Sequence, residues 1–511
     1  MPRRSSSHIL LFAVLIVAIG LLGGLPPVGP VAHAQQVRPP SAVDTTQIGF
    51  DRAIRTALSQ NTDLKRAQAT RRQSQTQVQA EWMDFAPDLN LSTDVTRRFG
   101  RNFSQVTGNF TTRSTDFFNV GGRSSITLFN GFENTASLNQ ARNRAEADDL
   151  SLQRTRREVV FTVMDQYIAL IESREIVRVR REELEARRQQ LRQIKEFVDA
   201  GSRPVSDLYQ EQANVAEAEQ NLLQAQRERE VSKTRLIQTL QLNPRQPYRF
   251  TVPEVAADTL STERYDLGGL IDEAFANRLD LRAVKAEQRA AQKSIRAARS
   301  TYYPRLSLSA SYGTDWSDQR LREVPGTGTD PETALVERAD GGDPLPVRVP
   351  GTGAPPQTQT PSFSSQLDDN RSGNIRLSLS IPIFDRFQRN TQVEQAQVQA
   401  QNAQYQLEDQ RQQVALQVRQ AYLDYRNAVQ QLEAANKRLR AARQARAAAQ
   451  ERYNLGSASI VELQNATRDF VDAASRQVRA RYNLIFQKKQ IEYHVGRLSP
   501  NEPLIQQQDA Q

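Results

Sequence analysis

Apolar and polar residues alternate strictly over Leu89, Leu91, Thr93 and Val95, and again over Leu306, Leu308, Ala310 and Tyr312. Two further alternating stretches place Ile126 and Leu128 on one face, and Ile375, Leu377, Leu379, Ile381 and Ile383 on another. Period two over such lengths predicts β-strands with one apolar face. Elsewhere the period changes. Val163, Leu170, Val177, Leu184, Leu191 and Val198 recur every seven residues, as do Val418, Tyr425, Leu432 and Leu439, with Arg446 interrupting before Tyr453. A sustained heptad predicts helices packed as coiled coils, not around a globular core. Residues 132–200 and 387–455 are therefore predicted as single helices, each spanning roughly 100 Å at 1.5 Å per residue.

These elements come twice, in one order. "FAPDLNLS" from Phe85 matches "YYPRLSLS" from Tyr302, and Asp63 matches Asp280, both 217 residues on. "LFNGF" from Leu128 matches "IFDRF" from Ile383, and Gly201 matches Gly456, now 255 residues on. Repetition at such offsets marks a duplicated supersecondary unit. Each copy predicts a short helix (50–60 or 267–277) and a second helix (63–86 or 280–302). Pro87 or Pro304 stops the second, because proline disfavours helix in the residue before it. Two strands and the long helix follow. The spacing from Phe129 to Gly201 equals that from Phe384 to Gly456, as expected of a rod whose length matters.

The glycines answer why each long helix ends where it does. Gly201 and Gly456 are predicted as helix stops, turning the chain into return helices over 204–242 and 459–495. Alone, a return helix is too short to flank its partner. Stacked end to end with the pre-strand helix, it nearly matches the long one, which puts all strands at one pole and both turns at the other. The growth of the offset from 217 to 255 predicts an insertion, found at 315–372. Its section from Pro325 to Pro361 carries eight prolines and six glycines, predicting an exposed, mobile tip between strands, with an interdomain linker as the plainer alternative.

The predicted organisation is a signal peptide (1–34), a first repeat (35–244), a linker (245–266), a second repeat (267–499) and a tail (500–511). Arg3 and Arg4, the apolar run from Ile9 to Leu22, and Ala32-His33-Ala34 have the order of a cleaved secretory signal; an uncleaved anchor is the alternative. No later stretch approaches the roughly 18 apolar residues a spanning helix needs, so any membrane crossing falls to strands. The chain has no cysteine, which removes disulfides and thiolate chemistry. His494 is the one histidine beyond the signal and reads as a packing residue. No metal or nucleotide motif is present, so neither an enzyme nor a cofactor is expected. A charge of +9, interleaved along helices, describes solvated faces and does not suggest nucleic acid.

Four amphipathic strands cannot cross a bilayer alone, because their open edges leave backbone groups unsatisfied in lipid. The pattern therefore expects several copies to share one barrel. The signal, the duplicated order, the "LFNG" and "IFD" entries and the glycine-marked turns resemble the TolC family of outer-membrane efflux proteins over nearly the whole mature chain. The resemblance implies a mixed, mainly α fold: a homotrimer whose 12-stranded barrel, four strands per chain, continues into an antiparallel coiled-coil tunnel across the periplasm. It implies a passive exit duct serving efflux or type I secretion, in contact with outer-membrane lipid, a periplasmic adaptor and an inner-membrane pump. It also implies an entrance constriction at the turn pole, where Tyr453, Glu462 and Asp207 match the family's pattern. Asn465 stands where a second acid is common. Ala458 stands where a basic latch can occur, and Arg203 takes the analogous place in the first copy. For the acids, the plainer alternative is a solvated helix start favoured by the helix dipole. A periplasmic adaptor or a coiled-coil scaffold would share the hairpins, but neither accounts for four alternating strands.

Overall fold

The computed structural model describes residues 46–104, 108–112, 114–251, 263–324, 332–339, 341–349 and 357–499. The expected signal peptide, half of the linker and the tail lie outside them. The chain divides into two units, residues 1–47 with 245–249, and residues 48–244 with 250–511. In the first, the described residues hold parts of two short paired strands, β1 (Thr46–Ile48) and β6 (Tyr248–Phe250). All other elements lie in the second.

There, α1 (Phe50–Gln60) and α2 (Thr62–Met83) lead into β2 (Asp88–Arg98) and β5 (Thr115–Phe129), with the small hairpin β3 (Arg101–Ser104) and β4 (Asn109–Thr112) between. The long α3 (Glu133–Asp199) and its return helix α4 (Val205–Thr239) complete the first copy. The second copy runs α5 (Leu267–Asn277), α6 (Leu279–Ser300), β7 (Arg305–Ser317), β12 (Ser372–Ser380), α8 (Gln388–Asn454) and α9 (Ile460–Val495). Both long helices have 67 residues, as their equal spacing requires. The chain enters each through two successive left-handed residues, Gly131–Phe132 and Arg386–Phe387.

The heptad seams are buried where the helices meet. Val163, Leu170, Val177 and Leu184 of α3, and Val418, Tyr425 and Tyr453 of α8, are all buried. Helix α3 packs against α2, α4, α6 and α9, and α8 against α6 and α9. The end-to-end stacking of short helices has a visible joint. Asn61, Thr62 and Asp63 at the start of α2 share a polar cavity of about 560 Å³ with Gln238 and Thr239 at the end of α4, beside Glu158 and Thr162 of α3.

One four-stranded antiparallel sheet, in the order β12-β7-β5-β2, joins the two copies through its central pair. Two expectations need correction. The last strand stops at Ser380 and does not reach Ile383; Pro382 has no N–H to give the ladder. The insertion is not a bare loop. Its described residues form two strand pairs, β8 (Arg322–Val324) with β11 (Gln357–Gln359) and β9 (Glu332–Val336) with β10 (Leu345–Val349). A short helix, α7 (Phe363–Asp369), docks on the sheet end. Buried Gln366 accepts from Ser317 N at 3.1 Å and donates to Ser317 O at 3.0 Å, while Phe363 packs on Phe118 and Trp316.

Candidate functional site at the two poles of the chain

At the strand pole, register decides which residues share a face. Val120 of β5 pairs with Thr93 of β2 and with Thr314 of β7, and Ala310 of β7 pairs with Ile375 of β12. Leu89, Leu91, Val95, Val120, Ala310, Tyr312, Ile375, Leu377 and Leu379 therefore lie on one side, and Asn90, Ser92, Asp94, Arg123, Ser311, Arg376 and Ser378 on the other. Leu89, Leu91 and Ile375 are each 81% exposed. So much bare apolar surface on one face marks contact with lipid or another chain. Among the described residues no helix is long and apolar enough to cross a membrane.

At the turn pole, both long helices end in the same backbone motif. Gly201 and Gly456 take left-handed φ values of 71° and 75°, a conformation that costs other residues roughly 1–2 kcal/mol. Gly201 N donates to Val198 O and Ser202 N to Phe197 O; Gly456 N donates to Tyr453 O and Ser457 N to Arg452 O. Each return helix then starts with an acid in its first turn, Asp207 or Glu462. Ser459 caps the second by accepting from Glu462 N at 3.2 Å. Pro204 occupies that position in the first and makes no side-chain cap.

The two turns are tied to each other. The Arg203 guanidinium lies 4.5 Å from the centre of the Tyr453 ring, and its Nη2 donates to Tyr453 O at 2.9 Å. Tyr453 is buried among Ile194, Ala449, Ala458, Ile460 and Leu463. Burial pushes its phenol upward; Arg203 pulls it down, while Asp207 and Glu211 add to the rise. Its hydroxyl has no hydrogen-bond partner, so the ring and its main-chain carbonyl make the contact.

The other expected residues are placed less centrally. Glu462 is paired with Arg452 of the same hairpin, so part of its charge is already met. Asn465 is exposed and accepts from Arg468 at 2.9 Å. Asp207 is half-buried and has no ion-pair partner among the described residues.

Beneath the first turn sits a pair that sequence reading passed over. Arg187 of α3 and Glu211 of α4 are buried, 3.6 Å apart. Asn214 donates to Glu211 Oε2 at 2.9 Å, while Glu211 Oε1 and Arg187 Nη1 have no hydrogen-bond partner. Burial raises the Glu211 carboxyl above its ordinary value, outweighing the opposing pull of Asn214, Arg187 and Gln464. Its signal was available: Glu211 lies one helical turn beyond Asp207, on the face that meets α3.

Comparison with known proteins places this geometry. A sequence model of the outer membrane efflux protein family matches residues 53–240 and 270–496. No curated protein matches the chain in sequence. The solved structures that share its fold include VceC, CusC and CmeC. The outer membrane protein VceC from Vibrio cholerae is 16% identical, with a TM-score of 0.68 over 88% of this chain and 96% of that one. CusC is 17% identical, with a TM-score of 0.70 over 92% and 99%. The outer membrane channel CmeC of Campylobacter jejuni is 16% identical, with a TM-score of 0.68 over 89% and 87%.

Proposed function

Since this chain belongs to the outer membrane efflux protein family and is an outer-membrane exit channel with its helices in the periplasm, we propose that it works as a passive homotrimeric duct gated at its helical turns. The observation that carries the reading is the tie between the turns, Arg203 of the first over Tyr453 of the second. It holds two hairpins of one protomer together at the pole away from the strands. The first copy thus supplies the basic group that Ala458 cannot.

Asp207 is the stronger candidate for a constriction acid, because Glu462 already faces Arg452. Three symmetry-related carboxylates at a narrow mouth would repel one another and concentrate cations. A periplasmic adaptor would draw the hairpins apart, and an inner-membrane pump would supply energy and choose the cargo. The duct then serves efflux or type I secretion according to the pump it meets.

Planar-bilayer conductance of the purified trimer tests the gate. Arg203→Ala should raise resting conductance several-fold, and Asp207→Asn should relieve block by divalent cations more than Glu462→Gln does. Unchanged conductance for Arg203→Ala would remove the tie from the gate. A protein recovered as a soluble periplasmic monomer would overturn the duct itself.

A further inference from the structure

The duplication lets an unseen contact be read from a visible one. The hairpin β2–β5 pairs Asp88 with Ser125 and Thr93 with Val120. The hairpin β7–β12 pairs Arg305 with Ser380 and Ala310 with Ile375. An offset of 217 carries Asp88 to Arg305 and Thr93 to Ala310, and 255 carries Ser125 to Ser380 and Val120 to Ile375. The two hairpins are thus copies in register, residue for residue.

The seam between them, β5 on β7, pairs Gly121 with Gly313, Gly122 with Tyr312, Arg123 with Ser311 and Ser124 with Ala310. Advanced by the same two offsets, these pairs become Arg376 opposite Thr96, Leu377 opposite Val95, Ser378 opposite Asp94 and Leu379 opposite Thr93. The residues lie on β12 and β2, the two open edges of the sheet. They stand at opposite ends of a four-stranded sheet, so their partner is another copy of the chain.

Resting on the homotrimeric reading, we propose that the barrel closes by β12 of one protomer pairing antiparallel with β2 of the next, in the register that sets Ser378 opposite Asp94.

Two independent features agree with it. The register keeps faces matched: Leu377 and Leu379 meet Val95 and Thr93 on the apolar side, and Ser378 meets Asp94 on the polar side. A slip of one residue would turn every side chain to the wrong face. The charges also fit. Arg376 stands diagonal to Asp94 across the seam, within reach of a long side chain. Among the described residues neither has an ion-pair partner in its own chain. Of the two-residue shifts that preserve the faces, one brings Arg376 opposite Arg98 and is disfavoured by charge, while the other brings it opposite Asp94 and is set apart by the duplicated register.

The absence of cysteine in the chain makes cross-linking a clean test. Opposed pairs in an antiparallel ladder alternate between wide and close spacing, so two neighbouring pairs cover both cases. Ser378→Cys with Asp94→Cys, and Leu379→Cys with Thr93→Cys, are compared with the shifted pairs Ser378→Cys with Ser92→Cys and Ser378→Cys with Thr96→Cys. Under mild oxidation in outer membranes, the better in-register pair should yield at least ~10-fold more covalent dimer and trimer than either shifted pair. Equal or greater linkage from a shifted pair, in a protein that still runs as a trimer, overturns the register and leaves the trimer standing. A monomer by native mass overturns both. Should the cysteine variants assemble poorly, Arg376→Asp and Asp94→Arg provide the second measurement. Each should lower the temperature at which the trimer dissociates on a gel, and the double variant should recover it. A double variant weaker than both singles overturns the pairing.

Discussion

The two hairpin tips have one backbone and two chemistries. Gly201 and Gly456, with the same left-handed turn and the same pattern of main-chain bonds, show that the duplication preserved geometry. Side chains diverged around it. An offset of 255 sets Val198 against Tyr453, Arg203 against Ala458, and the buried pair Arg187 and Glu211 against Ala442 and Ala466. The last difference is instructive, because both charges are absent from the second tip together. A buried ion pair barely repays its desolvation, but half of one is costly. Loss of both to small residues leaves the packing possible; loss of one does not. The Arg203 and Tyr453 difference is complementary instead, since one tip supplies the cation and the other the ring it covers.

The sharpest way to break this comparison is at the buried pair. Glu211→Ala should destabilise the assembled protein by about 3–5 kcal/mol by stranding the Arg187 charge. Arg187→Ala with Glu211→Ala imitates the second tip and should recover most of that loss. Denaturant unfolding of the trimer measures both, and a double variant as weak as the single would refute the account. Next come the shared glycines. Gly201→Ala and Gly456→Ala should each cost about 1–2 kcal/mol through backbone strain alone, because a Cβ at either position meets nothing within 4 Å. Unequal losses would mean that the tips differ in backbone after all.

The smallest effect is one of pH. The folded chain raises the Glu211 carboxyl above its ordinary value of 4.5. In the window just above that value, the folded state keeps a proton that the unfolded chain has released. Stability from this group therefore grows as pH falls through the window and declines as pH rises. Glu211→Gln should flatten that part of the melting-temperature profile. Substituting Ala466 by Gln in the second tip should leave the slope unchanged.

Periodicity carried most of the fold. The heptads and alternating stretches depend on burial that recurs along the chain, and α1 and α5 end where the residue pattern places them. The insertion was harder. Its prolines and glycines obscure strands β8 to β11, and nothing local shows that Gln366 will bind the main chain of Ser317. At the turn pole, Gly201 and Gly456 were legible because helix ends have local signatures, while Tyr453 was singled out at the entrance only through the family resemblance. The tie from Arg203 to Tyr453 was not legible, because it joins segments 250 residues apart, whereas the Arg187–Glu211 pair lies within one hairpin and was passed over although its signal was there. The pairing of Glu462 with Arg452 escaped for a different reason: an acid in a first turn looks the same whether it is free or engaged.

The equal length of the two long helices has a consequence for how such a chain can change. A deletion of two turns in α3 would leave its tip short of the neighbouring one, pulling Arg203 away from Tyr453 and misaligning every seam below. The same deletion made in α3, α4, α8 and α9 at matched heights would keep all of these in step. The reach of the protein can therefore be altered only in concert, and heptad-sized steps shared by four helices are the currency of that adjustment.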